Sequence, residues 1–182
     1  MKTKNMVLTA LFAALTIVFA QLIFPLPFTP VPLSLSLLPV FLAGAVLPKK
    51  HAAYSQLVYL LLGIAGLPVF AGFKGGAGIL FGPTGGFLLA YPIMAFLTAW
   101  ILQLISKKSF AGYLPPMLAA LTACYFCGSL WYAFTGHVSW ESALAATVAP
   151  FILFDCFKIL VCSAGAFAIN NALKKSNLYV AS

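Results

Sequence analysis

The chain contains no arginine and only two acidic residues, Asp155 and Glu141, so that charged side chains make up 7% of its 182 positions. A soluble domain carries about a quarter charged residues, and this scarcity excludes a water-exposed globular surface. Histidine is equally sparse: His51 and His137 lie in separate links without further ligands beside them, which speaks against a metal centre. No G-x-x-x-x-G-K-[ST] stretch is present, so the chain has no loop with which to cradle and hydrolyse ATP, and any energy input comes from a gradient or a partner. The cysteines, Cys124, Cys127, Cys156 and Cys162, all fall inside apolar runs. No disulfide framework is expected of them, and the C-x-x-C of Cys124 and Cys127 reads as small core residues rather than a redox motif. The charge of one sign that does occur, ten lysines giving a net +8, is scattered in pairs rather than massed on one face, which excludes nucleic acid as a partner.

Apolar residues dominate, at 63% with a mean hydropathy of +1.08. At roughly 20 residues per bilayer-spanning helix the length allows about six spans. The expected architecture is an all-α integral membrane protein in which residues 1–182 form a single six-helix domain. The apolar runs predict helices over 6–24, 33–47, 52–65, 86–105, 114–134 and 147–169. The second and third are short, and Pro39 interrupts the second. Lys2 and Lys4 ahead of an apolar stretch resemble the start of a signal peptide, but the later spans favour a retained first helix. Lys2 and Lys4, Lys49 and Lys50, Lys107 and Lys108, and Lys174 and Lys175 all fall in links on one side. The positive-inside rule makes that side cytoplasmic, with both termini inside. Lys74 alone falls outside. Trp131 and Trp140 near an outer edge and Tyr54 near an inner one fit either an interfacial aromatic belt or ordinary packing.

Three constellations stand out. Asp155 and Lys158 are the only acid and base within a predicted span, and each would cost about 2.5 to 3.5 kcal/mol at the bilayer centre. Spaced i, i+3 they share one helix face, where they form either a closed salt bridge or a functional pair. The segment from Gly72 to Gly86 combines glycines, which bring backbone N–H groups close to a ligand, with Phe73, Ile79, Leu80 and Phe81. It reads as a loop packed into the mouth of the bundle, with Lys74 as a candidate attractor of an anionic group. In the first helix, Ala10 and Ala14 form a small-x-x-x-small pair suited to close contact with a partner helix.

Taken together these residues resemble the BioY family, the substrate-binding (S) components of energy-coupling-factor (ECF) biotin transporters, over nearly the whole chain. The resemblance rests on Pro27-Phe28-Thr29-Pro30-Val31-Pro32, on Tyr59 through Gly63, on Gly66-Leu67-Pro68-Val69-Phe70, on Gly82-Pro83-Thr84-Gly85-Gly86-Phe87, and on Asp155 with Lys158. It implies an S-component-like six-helix bundle in the cytoplasmic (inner) membrane that captures biotin from outside without a cofactor and without being an enzyme. It also implies association with a transmembrane coupling protein, docked through Ala10 and Ala14, and with two cytoplasmic ATPases. By the same resemblance Asp155 and Lys158 lie in the biotin site and the long link after the third helix covers the ligand. The chemistry of biotin fits this set: Asp155 accepts from a ureido N–H, Lys158 donates to the ureido carbonyl, and Phe70, Phe87 and Tyr91 cover the rings. Lys74, or backbone N–H groups from Gly75, Gly76 and Ala77 to Gly78, would take the carboxylate, with Gly82 completing the loop. The chain departs from the family pattern at Phe87, where Tyr is usual, and at Ser36, where Gln is frequent. Competing readings are an S component for another vitamin, a solitary secondary transporter driven by protonation of Asp155, and a membrane enzyme using Asp155 or Cys156.

Overall fold

The computed structural model describes residues 2–25, 27, 31–105 and 109–175. The motif residues Phe28, Thr29 and Pro30, and the topogenic Lys107 and Lys108, lie outside that set. Among the described residues the fold is a bundle of seven α-helices with one short β-hairpin: α1 (Lys2–Ala20), β1 (Ile23–Phe24), β2 (Leu33–Ser34), α2 (Leu37–Val46), α3 (Lys49–Ile64), α4 (Gly85–Leu104), α5 (Leu114–Gly136), α6 (Trp140–Thr147) and α7 (Ile152–Lys175). The parts of α1, α4, α5 and α7 that are long and apolar enough to cross a membrane are Thr3–Ala20, Gly85–Leu104, Phe110–Gly136 (counted from the turn before α5) and Ile152–Lys175. Their outward faces carry exposed large apolar side chains, among them Leu104, Phe126, Phe134, Leu153 and Phe157, as suits a surface solvated by lipid rather than water.

Six expectations from the sequence are corrected. The first helix ends at Ala20 rather than near position 24, and the second begins at Leu37 rather than Leu33. The residues given up by both helices pair instead as antiparallel strands, Ile23 opposite Ser34 and Phe24 opposite Leu33. Starting α2 at Leu37 also removes the interruption expected of Pro39. It falls in the first turn, where its missing N–H has no partner to lose. The link after α5 is not merely a link. His137 adopts φ 50 and ends α5, Ser139 caps a new helix by accepting from the Ser142 amide at 3.3 Å, and Glu141 sits favourably in the first turn of α6. Pro150, which has no amide N–H, lies between α6 and α7, so the last helix starts at Ile152 rather than Thr147. At its far end α7 runs on to Lys175, past the expected stop at Ile169. The buried Asn170 amide donates to the carbonyl of Ala45 (3.0 Å) and to the Tyr113 hydroxyl (2.9 Å), which satisfies a polar group inside the bundle.

α4 is the centre of the bundle: α2, α3 and α5 all pack on it, α1 packs on α2 and α3, and α7 on α2 and α5. Buried hydrogen bonds pin two of the outer pairings, Thr16 to Gln56 between α1 and α3 (3.2 Å) and Ser129 to Thr147 between α5 and α6 (2.8 Å). The approach of α2 to α4 depends on Gly44, where a Cβ would stand 2.6 Å from Thr98 Cβ and 2.8 Å from the carbonyl oxygen of Ala95. Backbone cannot yield as a flexible side chain can. Gly165 on α7 is different, because a Cβ there meets only Leu42 Cδ2 at 3.6 Å. G44A is therefore expected to destabilise the detergent-solubilised protein by about 1–3 kcal/mol through overpacking, whereas G165A should leave thermal unfolding unchanged or slightly raise its midpoint. Equal effects of the two substitutions on the unfolding midpoint would show that the α2–α4 contact is not the tight one.

Candidate functional site

A cavity of about 280 Å³ opens where the hairpin, the segment between α3 and α4, the first turns of α4 and α7, and the middle of α5 converge. Pockets for small molecules run to roughly 300–1,000 Å³, so this one suits a single compact ligand. Its wall is mostly apolar and aromatic, with a buried charged pair at one end.

Asp155 and Lys158 form that end. They stand one turn apart on α7, both buried, and Lys158 Nζ donates to Asp155 Oδ1 at 2.7 Å. The closed salt bridge weighed from the spacing therefore exists, but the pair is not closed upon itself. Tyr125, from α5, donates its hydroxyl to the other carboxylate oxygen, Oδ2, at 2.7 Å, and Lys158 Nζ makes a second bond of 2.7 Å to the backbone carbonyl of Ser34 in β2. An ammonium has three N–H donors and a carboxylate about four acceptor positions. Among the described residues two of the former and two of the latter are engaged, so a donor and acceptor capacity remain beside the cavity that both residues line.

The polar chain continues through the hairpin. Ser34 Oγ bonds Ser36 Oγ at 3.0 Å, and Ser36 Oγ lies 2.6 Å from the hydroxyl of Tyr91 on α4. Ser36, the residue that departs from the family pattern, thus keeps a polar role by fixing Tyr91. The ring of Tyr91 stacks on Tyr59 of α3 (centroids 6.2 Å, 19° between planes), and Phe70 meets Tyr59 edge-on (5.5 Å, 81°). Phe70 is seated by Gly63, at which a Cβ would collide with the phenyl ring. Phe87 packs on Gly128 in the same way and lines the cavity, so the loss of a hydroxyl there relative to Tyr leaves the wall more apolar. The Tyr59 hydroxyl is buried without a hydrogen-bond partner among the described residues.

Opposite the Asp155 end, the segment from Gly66 to Thr84 covers the cavity. It closes on itself at Phe70 and Lys74, which exchange backbone hydrogen bonds of 2.9 and 3.3 Å, around Gly72 and Phe73 at φ 71 and 56. It is held at its far end by Trp131, whose indole N–H donates to the Gly82 carbonyl at 3.2 Å. Trp131 thereby packs against this segment. Of the loop residues expected in the site, Phe70, Lys74 and Gly82 line the cavity, together with Gly78 and Ile79, whereas Gly75, Gly76 and Ala77 do not. The Gly76 amide is in any case committed to the carbonyl of Gly63 at 2.7 Å. That geometry removes Gly76 as a free donor for an anion. Ala10 and Ala14 lie on the exposed face of α1, opposite the buried Phe12, Ala13 and Thr16, and do not line the cavity.

Sequence reasoning missed Tyr125 and the Ser34 carbonyl. Neither carries a local signal: Tyr125 is one aromatic among several in an apolar helix, and a backbone oxygen has no sequence signature. The spare hydrogen-bonding capacity of Asp155 was the only available clue that a third group must approach it.

Comparison with known proteins places the sequence and the fold. A protein named biotin transporter BioY2 from Lactococcus lactis is 35% identical over 98% of this chain and 96% of its own length. The biotin transporter BioY of Thermotoga maritima is 39% identical over 87% of this chain and 90% of its own. The fold superimposes on the crystal structure of the S-component for biotin from an ECF-type ABC transporter with a TM-score of 0.87 and 27% identity, covering 93% of this chain and 92% of that one. The model of the BioY family matches residues 1–175, and the chain belongs to that family.

Proposed function

We propose that the protein captures biotin and serves as the substrate-binding subunit of an ECF-type transporter. It is a transport component, not an enzyme, and biotin is its cargo rather than a cofactor. The observation that carries this reading is the Tyr125–Asp155–Lys158–Ser34 cluster, a charged pair with unspent hydrogen-bonding capacity at one end of an apolar, ligand-sized cavity in a BioY-family fold. The ureido group of biotin offers two N–H donors and one carbonyl acceptor on one edge. Asp155 accepts from a ureido N–H and Lys158 donates to the carbonyl, while Tyr125 fixes the carboxylate rotamer for that contact. Phe70, Phe87 and Tyr91 enclose the apolar rings. The carboxylate tail extends toward Lys74, which is exposed yet lines the cavity.

In the membrane the single domain crosses six times, with α1 to α5 and α7 as spans, α6 within an outer link, and both termini in the cytoplasm. Six lysines among the described residues support this topology: Lys2, Lys4, Lys49, Lys50, Lys174 and Lys175 belong to one set of helix ends, and Lys74 to the other. The membrane is the cytoplasmic (inner) one. A transmembrane coupling protein docks on Ala10 and Ala14, and two cytoplasmic ATPases supply the energy the chain cannot generate.

Detergent-purified protein is expected to release biotin on denaturation, detected by mass spectrometry, and to rebind labelled biotin stoichiometrically. D155N should abolish measurable binding, because it replaces one of the two accepting oxygens by a donor, so that Tyr125, Lys158 and a ureido N–H must compete for the other, and it leaves Lys158 buried without its counter-ion. Y125F removes one hydrogen bond to a charged group, worth about 1.5–3 kcal/mol, and should weaken binding roughly ten- to a hundred-fold. Folded protein that neither contains nor binds biotin would overturn the reading. K74A is expected to weaken binding several-fold at low salt and to abolish its salt dependence, as an exposed attractive charge requires. Replacing Ala10 and Ala14 together by leucine should abolish uptake in cells while binding by the purified protein stays intact. Loss of both would remove α1 as the docking face.

A further inference from the structure

The turn that carries Phe70 and Lys74 is tied to α1 by one side chain. Gln21 is the first residue beyond α1, and its carboxamide uses both of its N–H donors and one of its two acceptor positions. Nε2 donates to the Ile17 carbonyl at 3.3 Å, within its own chain end, and to the Val69 carbonyl at 3.1 Å, while Oε1 accepts from the Phe73 amide at 2.8 Å. Val69 stands just before the Phe70–Lys74 bridge and Phe73 lies inside the turn that the bridge closes. The carboxamide therefore pairs with the backbone at both places, as a neighbouring strand would.

Two features give this contact weight. Phe73 holds φ 56 although it is a bulky residue and its ring is largely exposed, so nothing beneath the ring fixes the backbone in a conformation that L side chains rarely adopt. Its amide is held by Gln21, and among the described residues no other side chain bonds the backbone from Val69 to Lys74. The turn in turn places Phe70, buried at 1% exposure against Tyr59, and Lys74, both on the cavity wall. Ala20, the residue before Gln21, lines the same cavity.

We propose that Gln21 is a positioning residue for ligand retention: its carboxamide clamps the Val69–Lys74 turn to the end of α1, so that the cover stays closed over a bound ligand. Gln21 does not touch the ligand. It acts through Phe70 and Lys74, and its loss should therefore speed release far more than it slows entry. The inference uses biotin as its probe and so rests on the proposed function. The clamp itself has a readout that needs no ligand.

Q21M keeps the side-chain length and removes all three bonds. Q21E keeps the acceptor for the Phe73 amide and loses the donor to Val69. Labelled-biotin dissociation from purified Q21M is expected to be about tenfold faster than from wild type, the scale of one or two hydrogen bonds, with association changed less than about threefold and Q21E in between. Hydrogen exchange in ligand-free Q21M should accelerate in the peptide spanning Val69 to Lys74 and not in α1, α3 or α4, at an unchanged unfolding midpoint. Unaltered exchange and unaltered dissociation would overturn the proposal. So would a rise in dissociation accompanied by faster exchange throughout α1, which marks general loosening. Should Q21M fail to fold, Q21E carries the same comparison. If wild-type protein binds no biotin, the proposed function fails while the exchange measurement still decides whether Gln21 holds the turn.

Discussion

A carboxylate and an ammonium buried in an apolar bundle must each find partners, and the arrangement of this fold follows from where those partners come from. Asp155 is held by α5 through Tyr125 and by its own helix through Lys158, and Lys158 reaches the β-hairpin through the Ser34 carbonyl. Three separate parts of the chain are thereby committed to meet at the start of α7. A self-contained ion pair would do this poorly, since apolar packing of the same volume commonly matches or exceeds it in stability. The cluster instead retains donor and acceptor capacity beside a cavity. Its desolvation cost is recovered in full only when a ligand with matching donors and acceptors completes the set.

Completing the set with nanomolar affinity requires about 12 kcal/mol of binding free energy, more than a few hydrogen bonds at one end can provide. The remainder must come from enclosing the apolar body of the ligand, and the fold supplies enclosure from connections as well as from helix faces. Residues between α3 and α4 bring Phe70 edge-on to the Tyr59 ring, which itself stacks on Tyr91, while residues after α1 supply the hairpin wall. The α3–α4 connection is tethered to helices at three points, the Gly76 amide to the end of α3, Gly82 to Trp131 of α5, and the Val69–Lys74 turn to the end of α1, and the hairpin is held by Lys158 of α7 through the Ser34 carbonyl. Such a cover is built to be ordered, and its attachments are few enough to be released without unfolding a helix.

The helical membrane character, the buried pair and the covering segment were all legible from apolar run lengths, from charge scarcity and from the i, i+3 spacing on α7. The hairpin was not, because Ile23, Phe24 and Leu33 are as apolar as the helices beside them, and hydropathy alone cannot separate a short strand from a helix end. α6 was overlooked although Ser139 and Glu141 carry an N-terminal helix signal, since a helix of eight residues leaves only two turns of pattern to read. Pro39 was misread for a related reason: a proline's effect depends on which turn it occupies, and that turn was fixed only once the hairpin had claimed Leu33 and Ser34. In the site, side chains with distinctive chemistry were found and those whose role depends on a distant helix were not, as Tyr125 and Gln21 both illustrate.

α1 connects two of these themes. Its exposed face carries Ala10 and Ala14, its opposite face buries Phe12, Ala13 and Thr16, and Thr16 bonds Gln56 inside the bundle. At its end Ala20 touches the cavity and Gln21 holds the cover. A body bound to the exposed face in one setting of α1 more tightly than in another necessarily shifts the population of those settings by its difference in affinity. The cover is attached to the same rod, so its closure is biased by the same free energy, and by linkage a ligand that favours the closed cover biases the exposed face equally. Coupling of this kind needs no pathway of moving side chains across the bundle. It requires only that one rigid helix be shared between the two surfaces, and in this fold the distance along α1 from Ala14 to Gln21 is about two turns.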